Sequence, residues 1–477
     1  MRKIKTWSPI GIFICSIFFG SCKTPSGALT SNNQVIPQSY TDLRDTTNSA
    51  QLKWCDFFKD QNLVSLIDTA IKKNLDLMMT FQEIEVAKNN VRLKSGQMLP
   101  TVAGVGSAGM TKVGHYTSEG AGDASADITP GRLVPSPLND YMLGLQTSWE
   151  ADIWGKLRNS KKAAVARYLG SIEGKNFVIT NLVADVANTY YELLALDNEL
   201  ELIRQTIQLQ KNGLEIVKVQ KEAAVVNELA VKQFEAQLYH SQSQEFDLLQ
   251  QIAENENKLN ALLGRFPQKI VRDQTTFTAQ MPNTISQGIP AQLLHNRPDI
   301  KQAEQVLLAT KCDVKAAQAA FYPSLNLTGS IGFQAFKTSY LFTAPQSLIY
   351  SIVGDLAVPL INRSAVKAEF NTANAYQLEA LFTYQRTILN GYVEVSNELS
   401  NIKHSEQTFN LKSKEAEALA KAVEVSIDLF KSARANYLEV LTAQRDALGA
   451  KLELIEAKKQ QFNSVTNVYK ALGGGWQ

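Results

Sequence analysis

Two stretches decide how this chain is read: QKEAAVVNELAVKQFEAQ, residues 220–237, and FKSARANYLEVLTAQ, residues 430–444. Each interrupts a very long helical pattern without Pro or Gly. Each reads Ala-x-x-Asn-x-Leu and then resumes as helix. Ala224 corresponds to Ala433 and Asn227 to Asn436, an offset of 433 − 224 = 209 residues. The pair reads as the tips of two long helical hairpins, at about 220–230 and 430–442, and the chain as two copies of one unit.

The flanks support this. Before the first tip, from about Gly155 to 220, there is no Pro and, after Gly155 itself, only Gly170, Gly174 and Gly213, which gives roughly 100 Å of helix at 1.5 Å per residue. Leu200, Ile203, Ile207, Leu214 and Val217 lie 3, 4, 7 and 3 apart, a heptad seam. After it a second helix runs from about 227 to 263 and stops at Gly264-Arg265-Phe266-Pro267. A similarly long helix, about 363–431, leads into the second tip. Beyond that tip, Leu448, Leu452, Ile455, Phe462, Val465, Tyr469 and Leu472 form another seam, ended by Gly473-Gly474-Gly475. Other anchors keep the offset: Gly144 to Gly354 is 210, and Ala261-Leu262 to Ala471-Leu472 is 210. Chemically unrelated anchors at one spacing imply a duplication, with repeats at 51–267 and 291–477 joined by a 268–290 linker.

Each repeat also holds strands. A helix over 63–98 ends at Leu99-Pro100, and a small, Gly-rich strand follows at about 101–112. Residues 115–140 read as a long loop. Tyr141, Leu143, Leu145 and Trp149 share one parity in a strand to about 152. In the second repeat, Arg297-Pro298-Asp299-Ile300 opens a helix that ends at Phe321-Tyr322-Pro323. Leu325, Leu327, Gly329, Ile331 and Phe333 then alternate with Ser324, Asn326, Thr328, Ser330 and Gln334, in a strand over about 324–337. The fourth strand, about 347–360, carries Leu348, Tyr350, Ile352 and Leu356 on one parity. Pro100 to Pro323 is 223, so the first inter-strand loop is about 13 residues longer than the second.

The 477 residues are 44% apolar and 20% charged, with a net charge of +2, which gives no nucleic-acid-type bias. Residues 1–21 read as an export signal: Arg2, Lys3 and Lys5, then an apolar run too short to span. Phe19-Gly20-Ser21-Cys22 fits a bacterial lipoprotein signal with Cys22 as the lipidated residue. An ordinary secretory signal containing Cys22 is the alternative. Lys23 follows, not the Asp that would hold such a protein in the inner membrane. Residues 22–50, rich in Ser, Thr, Asn and Pro, read as an extended tether. Of four cysteines, Cys55 and Cys312 remain, and their positions relative to Pro100 and Pro323 are too different for a disulfide. His115, His240, His295 and His404 have no ligand spacing, and no cofactor or metal is expected.

Strands with one apolar and one polar face suit a membrane barrel, with lipid outside and water inside. Four strands cannot close, and open edges are not tolerated in lipid, so several chains must share one barrel. A soluble sheet with one packed face is the alternative. The fold class expected is a mixed α+β membrane protein, mostly α.

The chain resembles the TolC-like outer membrane factor family, and most of all the outer-membrane lipoproteins of resistance–nodulation–division tripartite efflux pumps. The stretches that carry the resemblance are Tyr141-Met-Leu-Gly-Leu-Gln-Thr-Ser-Trp-Glu-Ala-Asp152-Ile-Trp-Gly-Lys-Leu-Arg158, His295-Asn-Arg-Pro-Asp-Ile300, Phe321-Tyr-Pro-Ser-Leu325, Tyr437-Leu-Glu-Val-Leu-Thr-Ala-Gln-Arg445 and Tyr469-Lys-Ala-Leu-Gly-Gly-Gly-Trp476. The resemblance implies a homotrimer with a 12-stranded outer-membrane barrel. It also implies a helical barrel in the periplasm and a belt at mid-height formed by 51–62, 268–290 and the C-terminal region. The implied partners are a periplasmic adaptor (membrane fusion) protein, an inner-membrane transporter and outer-membrane lipid, with no nucleic acid. The implied role is passive conduction of small molecules to the outside. By position, Leu438, Glu439 and Thr442 match the family's periplasmic aperture. Ala224, Val225, Asn227, Leu229, Ala433, Arg434 and Asn436 match the adaptor-docking tips. The family usually has Gly at both Ala224 and Ala433, and often Ser at Asn227 and Asn436. Asp is common where Thr442 stands. Competing readings are a type I secretion or metal-efflux conduit, and a non-conducting coiled-coil scaffold, which has no need of amphipathic strands. No nucleophile–base pair or phosphate loop argues for an enzyme.

Overall fold

The computed structural model describes Pro37, Ser39, Tyr40, 49–275, Phe277, 288–358, 363–432 and 434–477. Cys22, the signal, most of the tether, part of the linker, positions 359–362 and Ala433 lie outside these. The elements in chain order are α1 (Trp54–Phe57), α2 (Gln61–Lys73), α3 (Leu75–Gly96), β1 (Thr101–Thr111), α4 (Ser118–Asp123), β2 (Asp127–Thr129), β3 (Arg132–Leu133) and β4 (Leu138–Ala151). They continue as α5 (Lys156–Glu222), α6 (Glu228–Leu262), α7 (Leu293–Asn296), α8 (Pro298–Ala319), β5 (Ser324–Ala335), β6 (Leu348–Ala357), α9 (Arg363–Lys431) and α10 (Tyr437–Ala471). The chain is mostly helical with a small sheet, in two compact units. One holds residues 87–168 and 306–381, and the other holds 32–86, 169–305 and 382–477.

Three sequence expectations need correction. The helix read as continuous over 63–98 is two helices broken at Asn74, which is extended (ψ 129°). The Asn74 side chain accepts from Leu77 N–H at 2.9 Å and donates to Leu262 C=O at 2.9 Å. Beside it Gly264 sits at φ +63°, where a Cβ would lie 2.1 Å from the Lys73 carbonyl oxygen. A capping side chain and a distant carbonyl thus outweigh an unbroken apolar spacing. The stretch read as loop over 115–140 contains α4 and the β2–β3 hairpin, and β4 begins at Leu138. The last strand ends at Ala357.

The first unit carries one four-stranded antiparallel sheet in the order β1-β4-β5-β6. Both long helices pass through both units in sequence, and their termini reach the sheet by short connections. Asp152 makes the turn from β4 into α5: its carboxylate accepts from Leu157 N–H at 3.0 Å and Arg158 N–H at 2.9 Å. Trp154 stacks on Tyr322 at 4.7 Å and donates to Pro323 C=O at 2.7 Å, which ties the start of α5 to the start of β5.

The second unit is built on seams of α5, α6 and α10. Phe57 stacks on Tyr469 at 4.0 Å and Tyr191 on Phe462 at 4.6 Å, in one core with Leu63, Ile67, Leu193, Leu259 and Ile270. The Tyr190 hydroxyl donates to Asp60 at 2.7 Å. Arg272, in the linker, donates to Asp197 at 2.5 and 2.8 Å and to Glu256 at 2.5 Å, all largely buried. Arg297 is the other buried knot. It pairs with Asp299 at 2.8 Å and Glu394 at 2.7 Å, and caps the end of α10 through Ala471 C=O at 2.7 Å. Burial opposes its charge, but the bonds it donates to Asp299 and then the charge of and bond to Glu394 outweigh that and raise the guanidinium above its ordinary value. The chain leaves Arg297 room: a Cβ at Gly391 would lie 3.1 Å from its Nε. Tyr40 of the tether stacks on Tyr392 of α9 at 5.4 Å.

Removing the Arg297 head strands the largely buried Asp299 carboxylate and the Ala471 carbonyl, and leaves the half-exposed Glu394 without this partner. Arg297→Ala is expected to cost about 3–5 kcal/mol, whereas Lys72→Ala, which breaks an exposed i,i+4 pair, costs less than about 1 kcal/mol. Thermal unfolding of both variants in detergent measures the difference. Equal melting temperatures would exclude a holding role for Arg297.

Candidate functional site: an amphipathic sheet and two helical tips

The sheet register sorts its side chains. Residues directly opposite in an antiparallel pair lie on the same face. From β1 to β6, one face carries Val102, Met110, Tyr141, Leu143, Leu145, Trp149, Leu325, Leu327, Ile331, Phe333, Leu348, Tyr350, Ile352 and Leu356, with small residues between. The other carries Ser107, Gln146, Ser148, Glu150, Asn326, Thr328, Ser330, Gln334, Ser351 and Asp355, among small and a few apolar residues. The alternation read strand by strand therefore becomes a single apolar face across four strands. That face is uncovered: Leu145 is 52% exposed, Ile331 55%, Tyr350 78% and Ile352 89%. Aromatics mark its two ends, with Trp149 toward the helices and Tyr141 and Phe333 toward the loops; the eight steps from Tyr141 to Trp149 span roughly 27 Å of strand. The polar face has its own bonds, between Ser330 and Ser351 at 2.8 Å and from Gln334 to Asp140 at 2.9 Å. Gly144 and Gly332 lie opposite each other on that face. A Cβ on Gly144 would stand 2.7 Å from Ile331 O, and one on Gly332 2.6 Å from Gly144 Cα, so glycine lets β4 and β5 approach. Sequence reading missed this pair as such.

The tips lie in the second unit. At the first, α5 ends in a Schellman turn. Val225 N–H reaches Gln220 C=O at 2.9 Å and Ala224 N–H reaches Lys221 C=O at 3.0 Å. Ala224 sits at φ +54°, the one non-glycine residue in the left-handed region among those described. That is where the family resemblance expects Gly. Asn227 then caps α6 by accepting from Ala230 N–H at 3.2 Å. Lys221 pairs with Glu228 across the turn and, despite a small opposing effect of burial, lowers its carboxyl from the ordinary value. At the second tip, Arg434 N–H reaches Leu429 C=O at 2.9 Å, the same bond 209 residues on. Asn436 caps α10, accepting from Leu438 and Glu439 N–H at 3.0 and 3.1 Å, and donates to the Glu439 carboxylate at 3.0 Å.

The structure brings the tips together. Tyr437, Leu441 and Leu448 of the second share a core with Val217, Ala230, Val231 and Phe234 of the first. Val225 (69%), Leu229 (57%) and Leu438 (52%) project out of it, and Arg434, Glu439 and Thr442 are also exposed. Asp446, seven residues after Glu439 and exposed, extends the same helix face; the heptad spacing was the signal that could have found it.

The profile of outer membrane efflux proteins matches residues 66–265 and 289–474. The chain belongs to the outer membrane efflux protein family. It is similar to the solvent efflux pump outer membrane protein SrpC of Pseudomonas putida, 28% identical over 422 residues that cover 88% of this chain and 87% of that one. It is also similar to the cation efflux system protein CusC of Escherichia coli, 26% identical over 425 residues, covering 89% and 88%. Its fold matches a membrane protein crystal structure from Pseudomonas aeruginosa with a TM-score of 0.83 at 24% identity, over 92% of this chain and 99% of that one. The family is a transport-channel family, and the chain is an efflux component of the outer membrane. No helix among the described residues is long and apolar enough to cross a membrane.

The left-handed conformation at Ala224 costs about 1–2 kcal/mol that glycine does not incur, less about 0.4–1 kcal/mol for glycine's freer unfolded chain. Ala224→Gly is therefore expected to slow amide hydrogen exchange at Val225 and Ala230 roughly fivefold, about 1 kcal/mol, and Ala224→Val to speed it. Unchanged exchange in both would remove the strain.

Proposed function

We propose that three copies of this chain form a conduit in the outer membrane, through which small molecules leave passively after a periplasmic adaptor and an inner-membrane transporter deliver them. The observation that carries this is the sheet: four strands, one continuous apolar face, and two open edges, β1 and β6. In hydrocarbon those edges must be paired, and three copies give a 12-stranded barrel of ordinary size, lipid on the apolar face and water on the polar one. The helices support the same assembly. The last third of α9 exposes Leu411 (66%), Val425 (57%) and Leu429 (39%), and α6 exposes Tyr239 (64%) and Phe246 (71%). Such seams on helices of roughly 100 Å are covered by neighbouring helices. The two halves are read as a duplication, repeats at 51–267 and 291–477, and residues 51–62, 268–290 and the C-terminal region as a belt at mid-height.

Cys22 is the proposed lipid attachment, supported by the Gly-Ser-Cys sequence before Lys23. The tips are the proposed adaptor-docking ends, at Ala224, Val225, Asn227 and Leu229 and at Ala433, Arg434 and Asn436. Leu438, Glu439 and Thr442 are the proposed periplasmic aperture. Three Glu439 carboxylates round an axis make an acidic ring, and three Leu438 side chains an apolar constriction. The Asn436–Glu439 bond sets the direction of the carboxylate. The names of the relatives range over solvents, toluene, cations and antibiotics, which fits a generic conduit whose cargo is chosen by the transporter.

The purified protein is expected to run as an SDS-resistant trimer that heat dissociates, and to form channels in planar bilayers. Glu439→Ala should raise single-channel conductance or weaken block by divalent cations. No change in either would take Glu439 out of the aperture. Absence of trimer and channels in the unmodified protein would sink the conduit itself.

A further inference from the structure

The two inter-strand loops lean to opposite faces of the sheet. The second, after β5, packs toward the apolar face: Phe342 meets Phe333 edge-on at 5.6 Å, and the Ser347 hydroxyl donates to Tyr340 C=O at 2.6 Å. The first, after β1, stands over the polar face. A cavity of about 960 Å³ lies between it and the strand ends. Thr111, Asp140, Gln334 and Ile349, polar-face positions by register, form one wall of that cavity, with Asn139 and Ala335 of the other face and Phe336 at its edge, and His115, Tyr116 and Glu119 line it from the loop side.

The first loop is also a built object. The Thr117 hydroxyl caps α4, accepting from Gly120 N–H at 3.1 Å. Gly120 is buried against the preceding turn, where a Cβ would stand 2.2 Å from Gly114 O. Gly131 turns the β2–β3 hairpin at φ +73°, its N–H held by Asp127 at 2.9 Å. Val134 N–H then bonds back to Ala126 C=O at 3.2 Å, which closes the hairpin base. Each of these bonds fixes backbone that a tether would leave free. The roughly 13 residues by which this loop exceeds the other are spent on a folded piece above the polar face.

We propose that residues 114–137 form a cap over the outer mouth of the conduit and set the size of solute that passes it. This rests on the reading of the polar face as the water-filled interior. One cap per chain, three per barrel, places Tyr116, Glu119 and Asp123 at the rim. Cargo leaving the channel must displace the caps or pass between them, and large solutes outside are kept from entering. The second loop meets that cavity only through Phe336, next to the end of β5.

The test uses the full-length chain in intact cells, with Cys55 and Cys312 changed to Ser so that one engineered thiol reports. Ser330→Cys places that thiol on the polar face below the cap. Membrane-impermeant maleimides of small and large size are added outside. With the native loop, the small reagent is expected to label Ser330→Cys at least tenfold faster than the large one. Replacing 114–137 by a short Gly-Ser turn should abolish that size dependence. Gly120→Val, which keeps the loop length but unseats α4, should do the same. Size dependence unchanged in both variants overturns the cap. A thiol that no reagent labels in any form, in protein that still reaches the outer membrane, overturns the reading of the polar face as the interior, and the cap with it. Ile352→Cys, on the apolar face, should stay unlabelled throughout.

Discussion

The outward N–H and C=O groups of β1 and β6 have no strand partner among the described residues, and the sheet between them presents one apolar face. In water such an edge invites uncontrolled pairing; in hydrocarbon each bare group costs several kcal/mol. The sheet's composition points to the second environment, since Leu, Ile, Tyr and Trp stand uncovered on one side and Ser, Asn, Thr and Gln on the other. The proposed closure, β1 of one copy against β6 of the next, answers both problems with the same contact. The small residues of β1 and the opposed Gly144 and Gly332 suit a strongly coiled sheet, in which strands must come close on the inner face.

The helical part obeys a related constraint. Helices of nearly seventy residues cannot bury all their apolar positions in one chain, and the α9 and α6 seams are left bare. What the chain does fix internally is done with aromatic stacks and buried charges: Phe57 on Tyr469, Tyr191 on Phe462, Arg272 between Asp197 and Glu256, and Arg297 between Asp299 and Glu394. These tie segments distant in sequence to one another. At the tips the packing thins to one small core, and the exposed Val225, Leu229 and Leu438 stand around it. The strained Ala224 keeps the turn that glycine would make more cheaply.

Much of this was legible in the sequence, for a physical reason. Period-2 alternation survives in a sheet exposed on both faces, so the parity of Leu325 to Phe333 and of Tyr141 to Trp149 reads directly. Heptad seams such as Leu200 to Val217 read equally well, because coiled coils impose a strict spacing. The tips were found because Asn227 and Asn436 are caps, and caps are local. The features missed are those decided by distant partners. Asn74 breaks a helix because the Leu262 carbonyl and Gly264 arrive there from almost two hundred residues away. The α4 segment and the β2–β3 hairpin hide in a stretch whose Gly, Ser and Pro content resembles loop. Arg297 was visible only as part of a motif, and its role as a knot between α8, α9 and the end of α10 needed the fold. The match between Ala224 and a glycine position was seen, but not that the backbone there stays left-handed.

Closure of the sheet against copies of itself is open to disulfide trapping across the proposed β1–β6 seam. Single cysteines would be placed along β1, at positions 103–109, and along β6, at 349–355, in a chain with Cys55 and Cys312 replaced by serine. Each β1–β6 pair would then be oxidised in the outer membrane. Pairs in register are expected to give covalent ladders ending at the trimer on a denaturing gel, and pairs two residues out of register are not. Cross-links confined to single chains, or none at any register, would contradict that closure.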